Sequence, residues 1–143
     1  MNTKTTPPDK LSIVIHAGEF DKIHYALVMA SAAAAISTPV TLFFTMGACA
    51  VLKSENAWKT LSCSCSHLTP EQMNNAYKAK GVATFDELVE ACVALGVKFM
   101  VCEMGLRAVD LEDTPLREDI PIQTGGVVTF LNDSSRHGSM LFI

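Results

Sequence analysis

With 143 residues the chain has the length of one domain, enough to bury roughly two-thirds of the surface its unfolded form exposes. Hydrophobic residues make up 49% and charged residues 18%, and the formal net charge is −4, which leaves no basic stripe and excludes nucleic acid as the expected partner. The apolar excess points instead to surface hidden between subunits, since exposed apolar patches mark interaction sites.

Met1 to Lys10 is polar, contains Pro7-Pro8 and lacks the apolar stretch of a secretion signal, so residues 1–10 are expected to be a disordered tail and 11–143 one domain. Leu11 to His16 is a short apolar run that predicts a buried strand, closed by Ala17-Gly18. Asp21 suits the first turn of a helix, where a carboxylate meets the positive end of the dipole, and that helix is expected to reach about Ile36. It is apolar almost all round, which predicts cover on both sides, the outer one from another subunit. From Tyr25 to Leu52 there is no charged residue, a length that could span a bilayer. Ser37-Thr38-Pro39 interrupts the stretch, and proline stops the helix before the β-branched run Val40 to Thr45. Helix, turn and buried strand are therefore expected, and no membrane span.

The second strand runs into Gly47-Ala48-Cys49 and a short helix to about Lys53. Residues 54–80 form a surface excursion in which Thr69, Pro70 and Gln72 carry the signature of a helix start. Thr84 to Glu87 is a capping box that opens a helix from Phe85 to Leu95, ended by Gly96. Val97 to Val101 predicts the third strand, with Cys102 immediately after it and a short helix over Glu103 to Val109. Thr114-Pro115-Leu116 predicts a further helical turn, Ile120 to Ile122 an extended segment, Gly125 to Asp133 a helix, and Ser139 to Ile143 a last strand. Apolar strands alternating with helices mean a covered parallel sheet. The expected architecture is α/β, flavodoxin-like and doubly wound, a mainly parallel five-stranded sheet with helices on both faces. Its chemistry should gather at the carboxyl ends of the strands.

Five cysteines, an odd number, argue against a secreted disulfide framework and for a reducing, cytoplasmic setting. Cys102 sits where a strand enters a helix, so unpaired backbone amides and the helix dipole would favour its thiolate. Glu103 beside it works the other way. Cys49, near the second strand end, either packs inside or faces Cys102 as a second thiol. Cys92 lies on an apolar helix stripe and belongs to the core. Cys63, Cys65 and His67 form a Cys-x-Cys-x-His cluster that is a weak metal candidate, since structural zinc uses four ligands at wider spacing. His16 and His24 are placed near the first strand end, and Arg107, one turn beyond Cys102, could hold an anionic group. There is no phosphate loop and no placeable Ser-His-Asp set, and no cofactor is expected.

The order of Gly18-x-x-Asp21-Lys22, the alanine-rich first helix, Val40 to Thr45 followed by Gly47, Gly96-Val97, Cys102-x-Met104 and a Gly126 to Leu131 helix before the last strand resembles the DsrE/DsrF-like family over about residues 11–143. The resemblance implies a small α/β protein, often oligomeric, that takes part in sulfur relay. Its carrier cysteine would be Cys102; from their own positions near the strand ends, Gly18, Asp21, His24, Gly47, Glu103, Met104, Gly105 and Arg107 are the expected binding residues around it. Departures from the family pattern are Gly105 for a serine, Asp110 for a glycine and Met46 for a tryptophan. The expected function is a sulfur carrier or cysteine-dependent sulfurtransferase holding sulfane sulfur as a persulfide on Cys102, with relay proteins as donor and acceptor and self-association through the first helix. A thiol redox protein (peroxidase or disulfide exchange, using Cys102 with Cys49 or the Cys63/Cys65 pair) and a non-enzymatic oligomeric binding module remain the alternatives.

Overall fold

The computed structural model describes residues 6–65 and 67–143. Five strands, β1 (Leu11–Ile15), β2 (Val40–Phe44), β3 (Lys98–Cys102), β4 (Ile122–Gly125) and β5 (Ser139–Phe142), make one sheet in the order β4-β3-β2-β1-β5. All four pairings are parallel, with Val14 opposite Phe43, Phe43 opposite Met100 and Cys102 opposite Gly125. The helices are α1 (Phe20–Ala35), α2 (Pro70–Ala79), α3 (Phe85–Ala94), α4 (Glu103–Ala108) and α5 (Val127–Asp133), and two 3-10 segments cover Met46–Leu52 and Ala57–Thr60.

Local chemistry sets the element boundaries. Val40 to Phe44 is buried throughout, as a central parallel strand must be. Thr69 and Thr84 each build a reciprocal capping box, with Gln72 and Glu87 respectively. Two expectations fail. Residues 109–121 contain no helix: Arg117 donates its amide to Leu52 at 2.8 Å, tying the segment to the 3-10 turn after β2, and Pro115 and Pro121 break any continuous ladder. Gly125 belongs to β4 and not to the following helix, which starts at Val127 after the extended Gly126. Lys10 is also held, its Nζ 2.6 Å from an Asp133 carboxylate oxygen; residues 1–5 of the expected tail lie outside the described residues.

The path from β1 through β4 moves one way across the sheet, and the β4-α5-β5 connection returns across it. With right-handed crossovers this places α5 on the opposite face from α1 and α3, and the packing agrees. Ile13, Ile15, Leu42, Phe44, Phe99 and Val101 share the large core with α1 and α3. Phe43, Met100 and Cys102 form a separate small cluster with Phe130 of α5. Cys102 therefore lies at the carboxyl edge of the sheet, on the side that α5 covers.

Candidate functional site

Cys102 is the last residue of β3 and the N-cap of α4, at φ −79° and ψ 121°. Its Sγ accepts the N–H of Gly105 at 3.3 Å, satisfying one of the amides a helix start leaves free. Of the backbone amides expected to face the sulfur, that of Gly105 supplies this bond. The residue is fully buried, with Phe43, Met100 and Phe130 as its apolar neighbours. The sulfur is thus polarised from one side and sealed on the other.

Gly105 owes its identity to closeness. A Cβ there would lie 2.5 Å from Thr45 Oγ1 and 2.7 Å from the Met46 nitrogen, so a side chain at this position has no room. Met46 itself sits in the left-handed region at φ 48°, a conformation that costs a non-glycine residue on the order of 1 kcal/mol or more. Gly47 meets Gly18 in the same way: its Cβ would come within 3.0 Å of the Gly18 Cα. The carboxyl ends of β1, β2 and β3 are thereby drawn together, Gly18 on Gly47 and Thr45-Met46 on Gly105.

Cys49 is fully buried, and its Sγ donates to the Phe44 carbonyl at 3.8 Å. Burial first, and the neighbouring Cys102 second, push its thiol up to about 12. Cys92 is buried as expected, donating to the Leu27 carbonyl at 3.7 Å, and burial pushes it up to about 12 as well. All five cysteines are free thiols.

The remaining candidates scatter. His24 does not reach the Cys102 crevice: it is buried on α1 among Phe20 and Tyr77, and its Nε2 lies 2.9 Å from the Ala83 carbonyl. That carbonyl needs a donor, so the ring carries its proton on Nε2, and burial lowers its pKa. Asp21 accepts the Ser64 amide at 2.8 Å and so anchors the 61–68 segment. His16, exposed, packs tilted against Phe142 with ring centroids 5.5 Å apart. Glu103 and Met104 point to solvent. Arg107 Nε donates to Glu112 at 2.7 Å, beside a shallow groove of about 360 Å³ that Cys102 does not line. Cys65 Sγ is 3.3 Å from Nδ1 of His67, but among the described residues no three potential ligands converge on one point.

Sequence reasoning missed Phe43, Thr45, Met46, Met100 and Phe130 as neighbours of the site. A parity signal was present for one of them: Met100 and Cys102 are two apart on one strand and so share a face.

The chain is similar to known proteins. The DsrE/DsrF/DrsH-like family model matches residues 58–142. The sulfur carrier protein DsrE2 of Allochromatium vinosum is 27% identical, over 94% of this chain and 98% of that protein. The uncharacterized protein YrkE of Bacillus subtilis (strain 168) is 25% identical, over 97% and 99% respectively. Among solved structures, the ychN protein from E. coli superposes with a TM-score of 0.56 at 12% identity, covering 94% of this chain and 98% of that one; at that identity the likeness speaks for the fold. With a matched segment that runs from Trp58 through Cys102 to Phe142, more than half of its length, this chain belongs to the DsrE/DsrF/DrsH-like family.

Proposed function

We propose that this protein is a sulfur carrier that takes a sulfane sulfur onto Cys102 and passes it to the thiol of a partner protein. The observation that carries the reading is the Gly105 N–H held 3.3 Å from Cys102 Sγ at the carboxyl end of β3. An N–H donated to this sulfur remains available to the anionic sulfur of a persulfide. The 27% identical relative named as a sulfur carrier supports the same class of chemistry.

The Cys102 thiolate attacks the outer sulfur of a donor persulfide, R–S–SH. The donor S–S bond breaks, R–S⁻ leaves, and Cys102 becomes Cys–S–SH. Attack by an acceptor thiolate on that outer sulfur restores the Cys102 thiolate. No net oxidation occurs; one S–S bond is exchanged for another. Cys49, its pKa pushed up to about 12, stays a protonated thiol throughout.

Because Cys102 is enclosed, a partner reaches it only when the cover from α5 moves. That helix has seven residues and places one large apolar side chain, Phe130, in the buried cluster. In the same reading the chain works in the cytoplasm and associates with copies of itself through α1, whose Tyr25 is 62% exposed, as is Ile36 just past its end at 63%.

The test is intact-mass analysis after incubation with a small persulfide donor. One added sulfur is expected on the wild-type chain and none on Cys102→Ser. An adduct that persists in Cys102→Ser, or none on the wild type, removes the reading.

A further inference from the structure

The Cys-x-Cys-x-His segment plays no part in the Cys102 chemistry, yet it is held in place with care. Phe20 donates its amide to the Ser62 carbonyl at 2.8 Å, and Ser64 donates its own to Asp21 Oδ1 at 2.8 Å. Cys65 Sγ lies 3.3 Å from His67 Nδ1 and 3.4 Å from Nε2, over the face of the exposed imidazole, and a turn of that ring brings a nitrogen lone pair onto the sulfur. A nucleophile and a base within hydrogen-bond reach, both at the surface, form an activated thiol. Two residues away is Cys63. Three consecutive Cα atoms span at most about 7 Å, the upper edge of what a disulfide bridges, and the bend of the chain at Ser64 and Cys65 shortens that span.

We propose that Cys63, Cys65 and His67 form a second thiol site, independent of Cys102, in which Cys65 paired with His67 exchanges with disulfides of small thiols and Cys63 resolves the mixed disulfide. Cys65 gives its proton to His67 and attacks R–S–S–R′. The S–S bond breaks, R′–S⁻ leaves and takes the proton from His67, and Cys65–S–S–R remains. Cys63 then attacks Cys65 Sγ, releasing R–S⁻, which takes the Cys63 proton. The two cysteines lose two electrons to the substrate disulfide, which ends as RSH and R′SH.

The pair has the asymmetry this order requires. Burial first, then the Asp21 carboxylate and Cys65, raise the Cys63 thiol, and the imidazole stands beside Cys65. A ring closed across one residue is strained, and strained disulfides are readily reduced again, which suits a site that turns over.

The experiment uses the full Cys102→Ser chain, so that failure of the carrier reading leaves this one intact. One equivalent of hydroxyethyl disulfide is added, free thiols are alkylated, and the tryptic peptide 60–78, which holds both cysteines, is weighed. The expected product lacks two hydrogens and retains no hydroxyethylthio group. Adding Cys63→Ser, or Cys63→Ala to preserve apolar packing, should leave the adduct trapped on Cys65. Adding His67→Ala should slow the first step roughly tenfold or more. An adduct that persists with Cys63 present, or Cys63 and Cys65 reacting at equal rates in the single-cysteine variants, overturns the proposal.

Discussion

At φ −79° and ψ 121°, Cys102 ends a strand and caps a helix with the same side chain. Serine is a good N-cap, so Cys102→Ser retains an acceptor for the Gly105 amide, and its loss of sulfur loading reports chemistry and not misfolding. Gly105 tests the close approach itself. In Gly105→Ala the added methyl meets Thr45 Oγ1 at 2.5 Å and the Met46 nitrogen at 2.7 Å, and α4 must shift. A loss of about 1–3 kcal/mol is expected from such overpacking, with slower alkylation of Cys102 because its amide donor moves away. Denaturant melts and iodoacetamide kinetics check the two parts separately; an unchanged alkylation rate would mean the amide does not activate the sulfur. The placement of Cys102 was legible in the sequence because a thiol between an apolar strand and a helix start has its backbone environment fixed locally. His24 was misplaced because its partner, the Ala83 carbonyl, is 59 residues away and leaves no local mark.

The cover over Cys102 is one short helix pinned at two points. Phe130 stacks on Phe43 with centroids 4.7 Å apart. At the far end, Asp133 takes Lys10 Nζ at 2.6 Å, Lys98 Nζ at 2.5 Å and Thr41 Oγ1 at 2.5 Å. Phe130→Ala should cost about 3–5 kcal/mol, as large aromatic truncations in cores do, while accelerating alkylation of Cys102; if the thiol reacts no faster, α5 is not what limits access. For Asp133, burial raises the carboxyl pKa, but hydrogen bonds from Lys10, Lys98 and Thr41 outweigh it and bring the group down to about 2. A carboxyl depressed in the fold contributes stability above its unfolded pKa of about 3.9 and loses it as pH falls toward the folded value. Asp133→Asn should therefore cost roughly 2 kcal/mol near neutral pH, with the gap to wild type closing between about pH 4 and pH 2. A gap that stays constant over that window would contradict the assignment. The capping boxes at Thr69 and Thr84 and the apolar strands were readable because they follow from short-range rules. The absent helix around Pro115 was not, since the Leu52 carbonyl that claims Arg117 comes from a distant turn.

Seen whole, the sheet is unevenly covered, with α1 and α3 on one face and α5 alone on the other. No helix among the described residues is long and apolar enough to cross a membrane, as the break at Ser37-Thr38-Pro39 implied. The apolar excess in composition survives at the surface, where Tyr25, Ile36, Val128 and Phe142 are each more than 60% exposed. Self-association through α1 predicts that Tyr25→Glu with Ile36→Glu converts the sedimenting species to a monomer without changing its melting; an unaltered assembly would place the contact elsewhere. The carrier reading itself is met most directly by trypsin digestion after persulfide loading and alkylation. The account predicts one extra sulfur between Cys102 and the alkyl group, in the peptide Phe99–Arg107. Extra sulfur found only in peptides carrying Cys49, Cys63, Cys65 or Cys92 would contradict it.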